Sequence, residues 1–272
     1  MRIIRFIDAD GRTHYGEEHR SGSVTHLKGS LISGFERTTE SALVEKILAP
    51  LEPADIICIG RNYTTGSRAP DADRALSPTD AALEVFLKPS TAIQNPGDPI
   101  LMPWFDDLDP QLDCEGELAI VIGRTARNVS ESEAVDHVFG YTIANDVTAR
   151  AFQTSTGPPI WMRGKGFDTF CPIGPAIVTK DEIRDPQSLP IRTIINGRTV
   201  REGNTCDMIC TVPRLIAALS RHMTLRPGSL ILTGAPPAHA FSPLQPGDVA
   251  VVEIDQLGSL RNPIASGHSR LH

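Results

Sequence analysis

Long apolar runs are missing from this chain of 272 residues. No stretch approaches the ~20 consecutive apolar residues that a membrane-spanning helix requires. The opening residues 1–7 are not followed by a long apolar segment or a cleavage site, so they do not resemble a signal peptide. We therefore expect no membrane partner and predict a cytoplasmic location.

Paired cysteines and basic clusters are missing as well. Five cysteines lie scattered along the chain, at Cys58, Cys114, Cys171, Cys206 and Cys210. Their spacing does not fit a zinc site, and we expect reduced thiols. The 33 acidic residues outnumber the 26 basic ones, giving a formal charge of −7, and no basic stripe is present. Nucleic acid is therefore excluded as a partner, whereas a small anionic molecule needs only local Arg or Lys.

Glycine and proline, by contrast, are abundant, with 22 of each. Their joint share exceeds the usual ~12% and indicates many turns, which favours a β-rich fold. The chain shows no internal repeat and no regular alternation of strands and helices. We therefore predict a fold of the α+β class that is mostly β, with a mostly antiparallel or mixed sheet.

The sequence divides into three segments. Residues 1–47 are predicted to form a small N-terminal β module, because a strand candidate is followed there by the hairpin signal Asp10-Gly11. Residues 48–53 contain two prolines and form the predicted linker. Residues 54–272 make up the predicted main domain.

Two helices are predicted from their starting signals. Ser130 and Glu133 match a capping box, so a helix should begin there and run through Val138. Residues 211–222 form the second predicted helix, with Thr211 as its cap and a proline in its first turn.

The stretch 113–123 combines a buried strand with an acidic pair. Its five consecutive apolar residues, closed by a glycine, predict a strand in a sheet core. Because side chains alternate along a strand, Glu115 and Glu117 point the same way, roughly 7 Å apart. Two like charges at a core are unfavourable unless a positive group lies between them, and a divalent cation is the simplest candidate. The alternative is a strand end whose two acids face water.

Two further polar groups carry candidate chemistry. Asp146, Arg150 and Gln153 have the spacing i, i+4, i+7, which places them on one face if this segment is helical. A solvated helix face is the alternative. Lys165 lies between two glycines, which allow the backbone to approach another group closely. A solvated surface lysine is the alternative there.

Eight short stretches, taken in order, resemble the fumarylacetoacetate hydrolase family. They are residues 60–63, 86–89, 113–123, 140–150 (with Gln153), 163–170, 203–205, 225–234 and 247–248. The resemblance spans about residues 54–264, and the N-terminal module matches less clearly. It implies a mixed β-sandwich roll like that family's C-terminal domain, a homodimer, and a metal-binding catalytic domain at 54–272.

The resemblance also implies an enzyme that acts on a small oxo acid, of the β-keto or acylpyruvate-like kind. The metal ligands of the family match Glu115, Glu117 and Asp146. Three carboxylate ligands with no His or Cys among them favour Mg²⁺ or Mn²⁺, with Ca²⁺ also compatible, over zinc or copper. Three protein ligands leave coordination positions open, as a catalytic cation requires. Such a cation would stabilise the enolate that forms when a C–C or C–H bond breaks.

Other site residues follow from the same resemblance. Lys165 matches the family's lysine beside the metal and is predicted to be catalytic, by stabilising developing negative charge. Arg150 and Gln153 match substrate-contacting positions, since arginine binds a carboxylate through two N–H groups, although Arg150 would equally pair with an acid. Weaker substrate-binding candidates at the pocket rim are Tyr63, which would equally fit core packing, Lys88 and Thr233.

The sequence departs from the family at the general base. Many hydrolytic and decarboxylating members carry a histidine three residues after the tyrosine of the N-Y motif, and Gly66 stands at that position. A glycine cannot accept a proton from water. The surrounding run 64–82 has too few apolar residues for a core and is a candidate lid. His239 is a candidate replacement base, although a lone loop histidine is more often solvated.

Three functional hypotheses remain open at this point. The first is enolate-stabilised isomerisation, decarboxylation or lyase-type cleavage of an oxo acid. The second is hydrolysis of an acylpyruvate-type C–C bond with a base recruited from another part of the chain. The third is a non-catalytic member that retained the metal pocket, and the intact acids and Lys165 argue against it.

Overall fold

The computed structural model describes residues 1–31, 33–64, 83–153, 160–241 and 243–267. Gly66 and the candidate lid, apart from Thr64, lie outside these residues.

Strands dominate the described part of the chain. In chain order they are β1 (Arg2–Ile7), β2 (Thr13–Glu18), β3 (Val24–Ser30), β4 (Gly34–Ser41), β5 (Lys46–Leu48), β6 (Ile56–Gly60), β7 (Glu84–Lys88), β8 (Ile93–Gln94), β9 (Ile100–Met102), β10 (Leu112–Asp113), β11 (Gly116–Ile122), β12 (Val138–Asn145), β13 (Thr148–Ala149), β14 (Cys171–Thr179), β15 (Pro190–Ile195), β16 (Arg198–Asn204), β17 (Leu230–Leu232), β18 (Val249–Ile254) and β19 (Gly258–Ser266). The helices are α1 (Glu131–Ala134), α2 (Trp161–Lys165) and α3 (Val212–His222).

One large mixed sheet runs in the order β4-β3-β2-β1-β14-β12-β11-β17-β6-β7. Most neighbours are antiparallel, but β17 pairs parallel with β6. A second sheet has the order β16-β15-β18-β19-β9, with β9 parallel to β19. The mostly β, mixed fold predicted from the sequence is thus confirmed.

The apolar run of β11 lies at the centre of the large sheet. Every residue of β11 is buried, since the strand pairs with β12 on one side and β17 on the other. Its side chains alternate between two hydrophobic clusters, with Leu118 and Ile120 in one, Ala119 and Val121 in the other. The first cluster also takes up the apolar side of α3. The free energy of burial therefore fixes β11, and with it the position of the acids at its start.

The N-terminal strands extend the same large sheet. β1 pairs antiparallel with β2 and β5, and also with β14, where Arg2 lies opposite Val178 and Ile3 opposite Ile177. Within the predicted linker, Leu51 is buried. The division into an N-terminal module at 1–47, a linker at 48–53 and a main domain at 54–272 stays a prediction.

The helix predicted from Ser130 is shorter than expected. Its capping box is present, with the Ser130 N–H donating to Glu133 Oε2 at 3.1 Å. However, α1 ends at Ala134, a 3₁₀ turn follows, and β12 begins at Val138, so the prediction of a helix through Val138 is wrong. A β-branched valine at the start of a buried, aromatic-rich strand gains more from the sheet than from another helical turn.

The helix predicted at residues 211–222 is confirmed as α3, which begins directly after Thr211. All five cysteines are free thiols, as predicted. Among the described helices, none is both long enough and apolar enough to cross a membrane.

Candidate metal centre

Three carboxylates meet where β11 begins and β12 ends. The antiparallel register places Gly116 opposite Asn145, so the residues flanking this pair lie side by side. The Asp146 N–H donates to the Glu115 carbonyl oxygen at 2.8 Å. One oxygen from each of Glu115, Glu117 and Asp146 lies within 4.8 Å of the other two. The sheet register therefore joins acids that are about thirty residues apart in the chain.

This donor set fits a hard divalent cation. All three groups offer carboxylate oxygens, which Mg²⁺, Mn²⁺ and Ca²⁺ prefer, and no described His or Cys belongs to the group. Glu117 and Asp146 are buried, and Glu115 is half-buried. The Gly234 N–H donates to Glu117 Oε2 at 2.6 Å and orients that carboxylate. Gly234 has a φ of +93°, in the left-handed region that glycine adopts without strain.

Lys165 bridges two of the three acids. Its Nζ donates to Glu115 Oε2 at 2.5 Å and to Asp146 Oδ2 at 2.6 Å. The side chain is almost completely buried, at the end of α2. The preceding Gly164 permits this approach, because a Cβ there would lie 2.7 Å from the Ala149 carbonyl oxygen. Lys165 is therefore a buried group of the site and not a solvated surface lysine.

Lys88 lies behind the acids and not at the cavity rim. Its Nζ donates to Asp146 Oδ1 at 2.5 Å and to the Val147 carbonyl oxygen at 3.2 Å. Its side chain is fully buried and is not part of the cavity lining. Each oxygen of Asp146 is thus held by a different lysine.

Asp113 joins two arginines above Glu115. Arg150 donates to Asp113 Oδ2 through Nε at 2.8 Å and Nη2 at 2.5 Å, and its Nη2 also donates to Glu115 Oε1 at 2.9 Å. Arg201 donates to Asp113 Oδ2 at 2.7 Å and to the carbonyl oxygens of Cys114 and Pro236 at 3.0 and 2.9 Å.

Sequence reasoning missed the roles of Asp113 and Arg201. Asp113 opens the stretch that contains the acidic pair, and Arg201 lies two residues before the family-like stretch 203–205. These positions in or near the family-like stretches were the signal in the sequence that could have identified the two residues. Their separation of 88 residues hides the pairing, which depends on Arg201 of β16 reaching Asp113 at the end of β10.

The three acids and the charged side chains around them balance in formal charge. Within this cluster the pKa values of Glu115 and Glu117 are shifted in opposite directions. Burial alone would raise the pKa of Glu115, but attraction to Lys165 and the two arginines outweighs it and lowers that pKa to about 2. Burial, reinforced by repulsion from Asp146, raises the pKa of Glu117 well above its usual value. Burial also opposes the charge on Lys165, yet the neighbouring carboxylates outweigh it and raise the lysine's pKa. The formal charges come from Lys88, Arg150, Lys165 and Arg201 against Asp113, Glu115, Glu117 and Asp146.

A cavity of about 630 Å³ opens onto the three acids. One of its walls is aromatic, where Trp161 stacks on Phe86 with ring centroids 5.9 Å apart. The lining also includes Pro236 and Pro237 from the loop after β17. The space suits a small organic acid whose charged end meets the carboxylate cluster while its carbon chain touches apolar side chains.

Two buried polar atoms at this cavity lack hydrogen-bond partners among the described residues. They are the hydroxyl oxygen of Tyr63 and Nε2 of Gln153, and both side chains line the cavity. The Gln153 Oε1 accepts from Arg150 Nη1 at 3.5 Å. An unpaired buried polar atom is unfavourable by about 1–3 kcal/mol, so these two groups are suited to bind a ligand.

The backbone around Tyr63 is firmly held. The Asn62 side chain donates to the carbonyl oxygens of Cys210 and Thr233 at 3.0 and 2.8 Å and accepts from the Cys210 N–H at 2.8 Å. Thr233 is itself buried, donates its hydroxyl to the Leu118 carbonyl oxygen at 2.9 Å and is not part of the cavity lining. Thr233 therefore braces β11 instead of standing at the rim.

Two expectations fail on geometry. The segment from Asp146 to Gln153 is not a helix, because β13 follows and only a single 3₁₀ turn, Arg150–Phe152, precedes Gln153. Arg150 and Gln153 still reach the cavity, since this turn lies against α2. His239 is exposed, its N–H donates to the Val200 carbonyl oxygen at 2.9 Å, and it does not line the cavity. The described lining residues include no histidine.

Comparisons with known proteins agree with this geometry. The family model described as fumarylacetoacetate (FAA) hydrolase C-terminal matches residues 55–265. A mitochondrial oxaloacetate tautomerase of Xenopus laevis is 42% identical over 224 residues, covering 80% of this chain and 68% of that protein.

Solved structures resemble nearly the whole chain. A 5-carboxymethyl-2-hydroxymuconate delta-isomerase from Mycobacterium smegmatis has a TM-score of 0.82 and 35% identity, covering 98% of this chain and 100% of that one. A 2-hydroxyhepta-2,4-diene-1,7-dioate isomerase from Mycobacterium marinum has a TM-score of 0.81 and 36% identity, covering 99% of this chain and 100% of that one.

Proposed function

The chain belongs to the fumarylacetoacetate hydrolase family, and from that premise we propose that it is a divalent-cation-dependent enzyme that interconverts tautomers or isomers of a small oxo acid. The observation that carries the proposal is the meeting of three carboxylates with a buried lysine at the floor of a cavity. Relatives named for oxaloacetate tautomerase and dienedioate isomerase activity support this choice within the family.

We propose Glu115, Glu117 and Asp146 as the cation ligands, with Mg²⁺ or Mn²⁺ as the ion. A bound divalent cation would act as a Lewis acid, favouring negative charge on the oxo oxygen of the substrate. Lys88 would position Asp146, because its Nζ donates to the Oδ1 atom of that carboxylate. Lys165 donates to Glu115 and Asp146, and its ammonium group would act as a fixed cation near the developing enolate.

The substrate carboxylate would bind at the half-buried side of the cluster. Arg150 and Gln153 present N–H groups there, and Gln153 Nε2 has no partner among the described residues. Tyr63 offers a hydroxyl whose pKa is raised by burial, so it remains a donor throughout the usual pH range. These groups would orient the acid and stabilise charge on the enolate oxygen, while the proton that leaves or joins the carbon is exchanged with water in the cavity.

The names of its relatives favour isomerisation over hydrolysis. Hydrolysis needs a base that takes a proton from water, and the described lining residues include no histidine. His239 lies outside the lining, and we propose no catalytic role for it.

Product analysis tests the proposal. Purified protein with MgCl₂ or MnCl₂ is mixed with enol-oxaloacetate, and the loss of enol absorbance is followed together with CO₂ release. We expect faster enol loss without CO₂, with the acceleration removed by a chelator. Release of CO₂ would show a decarboxylase, and cleavage of an acylpyruvate in a parallel assay would show the hydrolase alternative. A catalytic rate that survives exhaustive chelation would refute the cation.

Two further parts of the proposal concern the state of the protein in the cell. We propose a homodimer, which light scattering of the purified chain tests directly. The cytoplasmic location stays a prediction; the Xenopus relative carries a mitochondrial name.

A further inference from the structure

Three arginines line the cavity, and they differ in how their N–H groups are used. Arg150 and Arg201 donate to Asp113, and both are half-buried or buried within the acid cluster. Arg61 makes no side-chain hydrogen bond to any residue in the described ranges. Its ion pair within the described residues, to Glu84, is loose at 3.4 Å, and 69% of its side chain is exposed. Among the described cavity arginines, Arg61 is therefore the one whose N–H groups are used least by the protein.

The backbone at Arg61 is unusual for an arginine. Its φ is +52°, in the left-handed region where a side chain is unfavourable and where glycine or asparagine would be better suited. The neighbouring Asn62 holds this turn in place through its hydrogen bonds to Cys210 and Thr233. A strained residue in a rigid turn at a cavity points to a role for its side chain.

Arg61 and Lys165 both lie close to the indole ring of Trp161. The guanidinium carbon of Arg61 lies 5.7 Å from the Trp161 ring, and the Nζ of Lys165 lies 5.8 Å from it. Phe86 stacks on the same indole and lines the same wall. Arg61, Lys165 and this aromatic pair therefore line one cavity, with both cations within 5.8 Å of the same indole centroid.

We propose that Arg61 binds a second carboxylate of the substrate and so selects dicarboxylic over monocarboxylic oxo acids. This assignment rests on the proposed function, since it supposes that the first carboxylate binds beside the three acids. A planar guanidinium with free N–H groups forms two parallel hydrogen bonds to a carboxylate. The Trp161 face holds the guanidinium by a cation–π contact without using these N–H groups.

Binding of matched, unreactive acids tests the assignment. Malate and lactate differ by a single carboxylate group, and they resemble the dicarboxylic and monocarboxylic oxo acids. Calorimetric titration of each into the full-length protein with MnCl₂ gives their dissociation constants. We expect Arg61→Gln to weaken malate binding about tenfold and lactate binding less than about twofold. Arg61→Lys should give an intermediate loss for malate, because it keeps the charge but not the planar pair of donors.

Arg192→Gln is the matched control. Arg192 is likewise an exposed arginine paired with a glutamate, Glu253, but it does not line this cavity. It should change neither dissociation constant. Equal weakening of both acids by Arg61→Gln, no weakening of malate, or a wild-type protein that does not prefer malate would each overturn the assignment.

Turnover measurements separate this inference from the proposed function. Arg61→Gln should raise the KM for enol-oxaloacetate about tenfold while kcat stays within about twofold. If wild-type protein discriminates malate from lactate through Arg61 but converts no oxo acid, the proposed function fails and the carboxylate site stands. If the wild-type protein and Arg61→Gln convert oxo acids equally well, the carboxylate site fails and the proposed function stands.

Discussion

Removal of the Tyr63 hydroxyl should affect stability and activity in opposite directions. The hydroxyl is buried and lacks a partner among the described residues, while the ring packs in the main hydrophobic cluster. Because an unpaired buried polar group is unfavourable by about 1–3 kcal/mol, Tyr63→Phe should leave the free energy of unfolding unchanged or raise it by up to about 1 kcal/mol. The expected rise in Tm is at most about 2–4 °C.

The same substitution should slow the reaction. If the hydroxyl donates to a negatively charged enolate oxygen, that hydrogen bond contributes about 1.5–3 kcal/mol to the transition state. At 1.36 kcal/mol for each factor of ten, kcat/KM should fall roughly 10- to 160-fold.

Thermal unfolding and enol-oxaloacetate kinetics are measured on the same preparations. Tyr141 supplies the control, because it is buried in the same cluster but does not line the cavity. Tyr141→Phe should leave kcat/KM within about twofold. A Tm that falls by several degrees in Tyr63→Phe would show that the hydroxyl has a structural partner. An unchanged kcat/KM would show that it does not contact the reacting acid.

Three further predictions concern the cation site and the N-terminal strands. Glu117→Ala should weaken Mn²⁺ binding at least about 100-fold by calorimetry with an unchanged circular dichroism spectrum, and tight binding in this variant would exclude Glu117 as a ligand. Lys88→Met should lower the free energy of unfolding by about 3 kcal/mol, because it leaves one oxygen of the buried Asp146 without its cation, and added Mn²⁺ should restore part of the loss in a thermal scan. Hydrogen bonds from Arg37 lower the pKa of Glu17, so this pair stabilises the fold above the usual glutamate pKa and its contribution disappears as the pH falls through the lowered value. Arg37→Met should therefore lower Tm at pH 7 more than at pH 3. An equal decrease at both pH values would show that the Arg37–Glu17 ion pair does not account for the stabilisation.

Local sequence pattern predicted those parts of the fold that depend on local properties. The apolar run of β11 and the cap of α3 each lie within a dozen residues, and each has one favourable structure. The segment after Ser130 shows where local signals compete. Its capping box starts a helix, but the valine and aromatic residues that follow have a stronger preference for the central sheet. A starting signal therefore predicts where a helix begins better than where it ends.

The candidate site could be predicted only as far as its acids. Glu115 and Glu117 share a strand, so their common direction follows from the alternation of side chains. The placement of Asp146 beside them depends on the register of β11 with β12. In the sequence, only the family resemblance indicated that Asp146 joins the two glutamates. The pairing of Asp113 with Arg201 beside Glu115 needs a contact between β16 and the end of β10, and no local pattern records it.

Charge balance connects the proposed cation with the second carboxylate. With Glu117 ionised, as a bound cation requires, the protein side chains of the cluster supply four positive and four negative charges, which balance each other. A divalent cation would add two positive charges in a largely buried place, where uncompensated charge is unfavourable. An organic acid that carries two negative charges restores the balance, and a monoanion does not. Cation and acid should therefore strengthen each other's binding, most of all for a dicarboxylate that reaches Arg61 along the Trp161 wall.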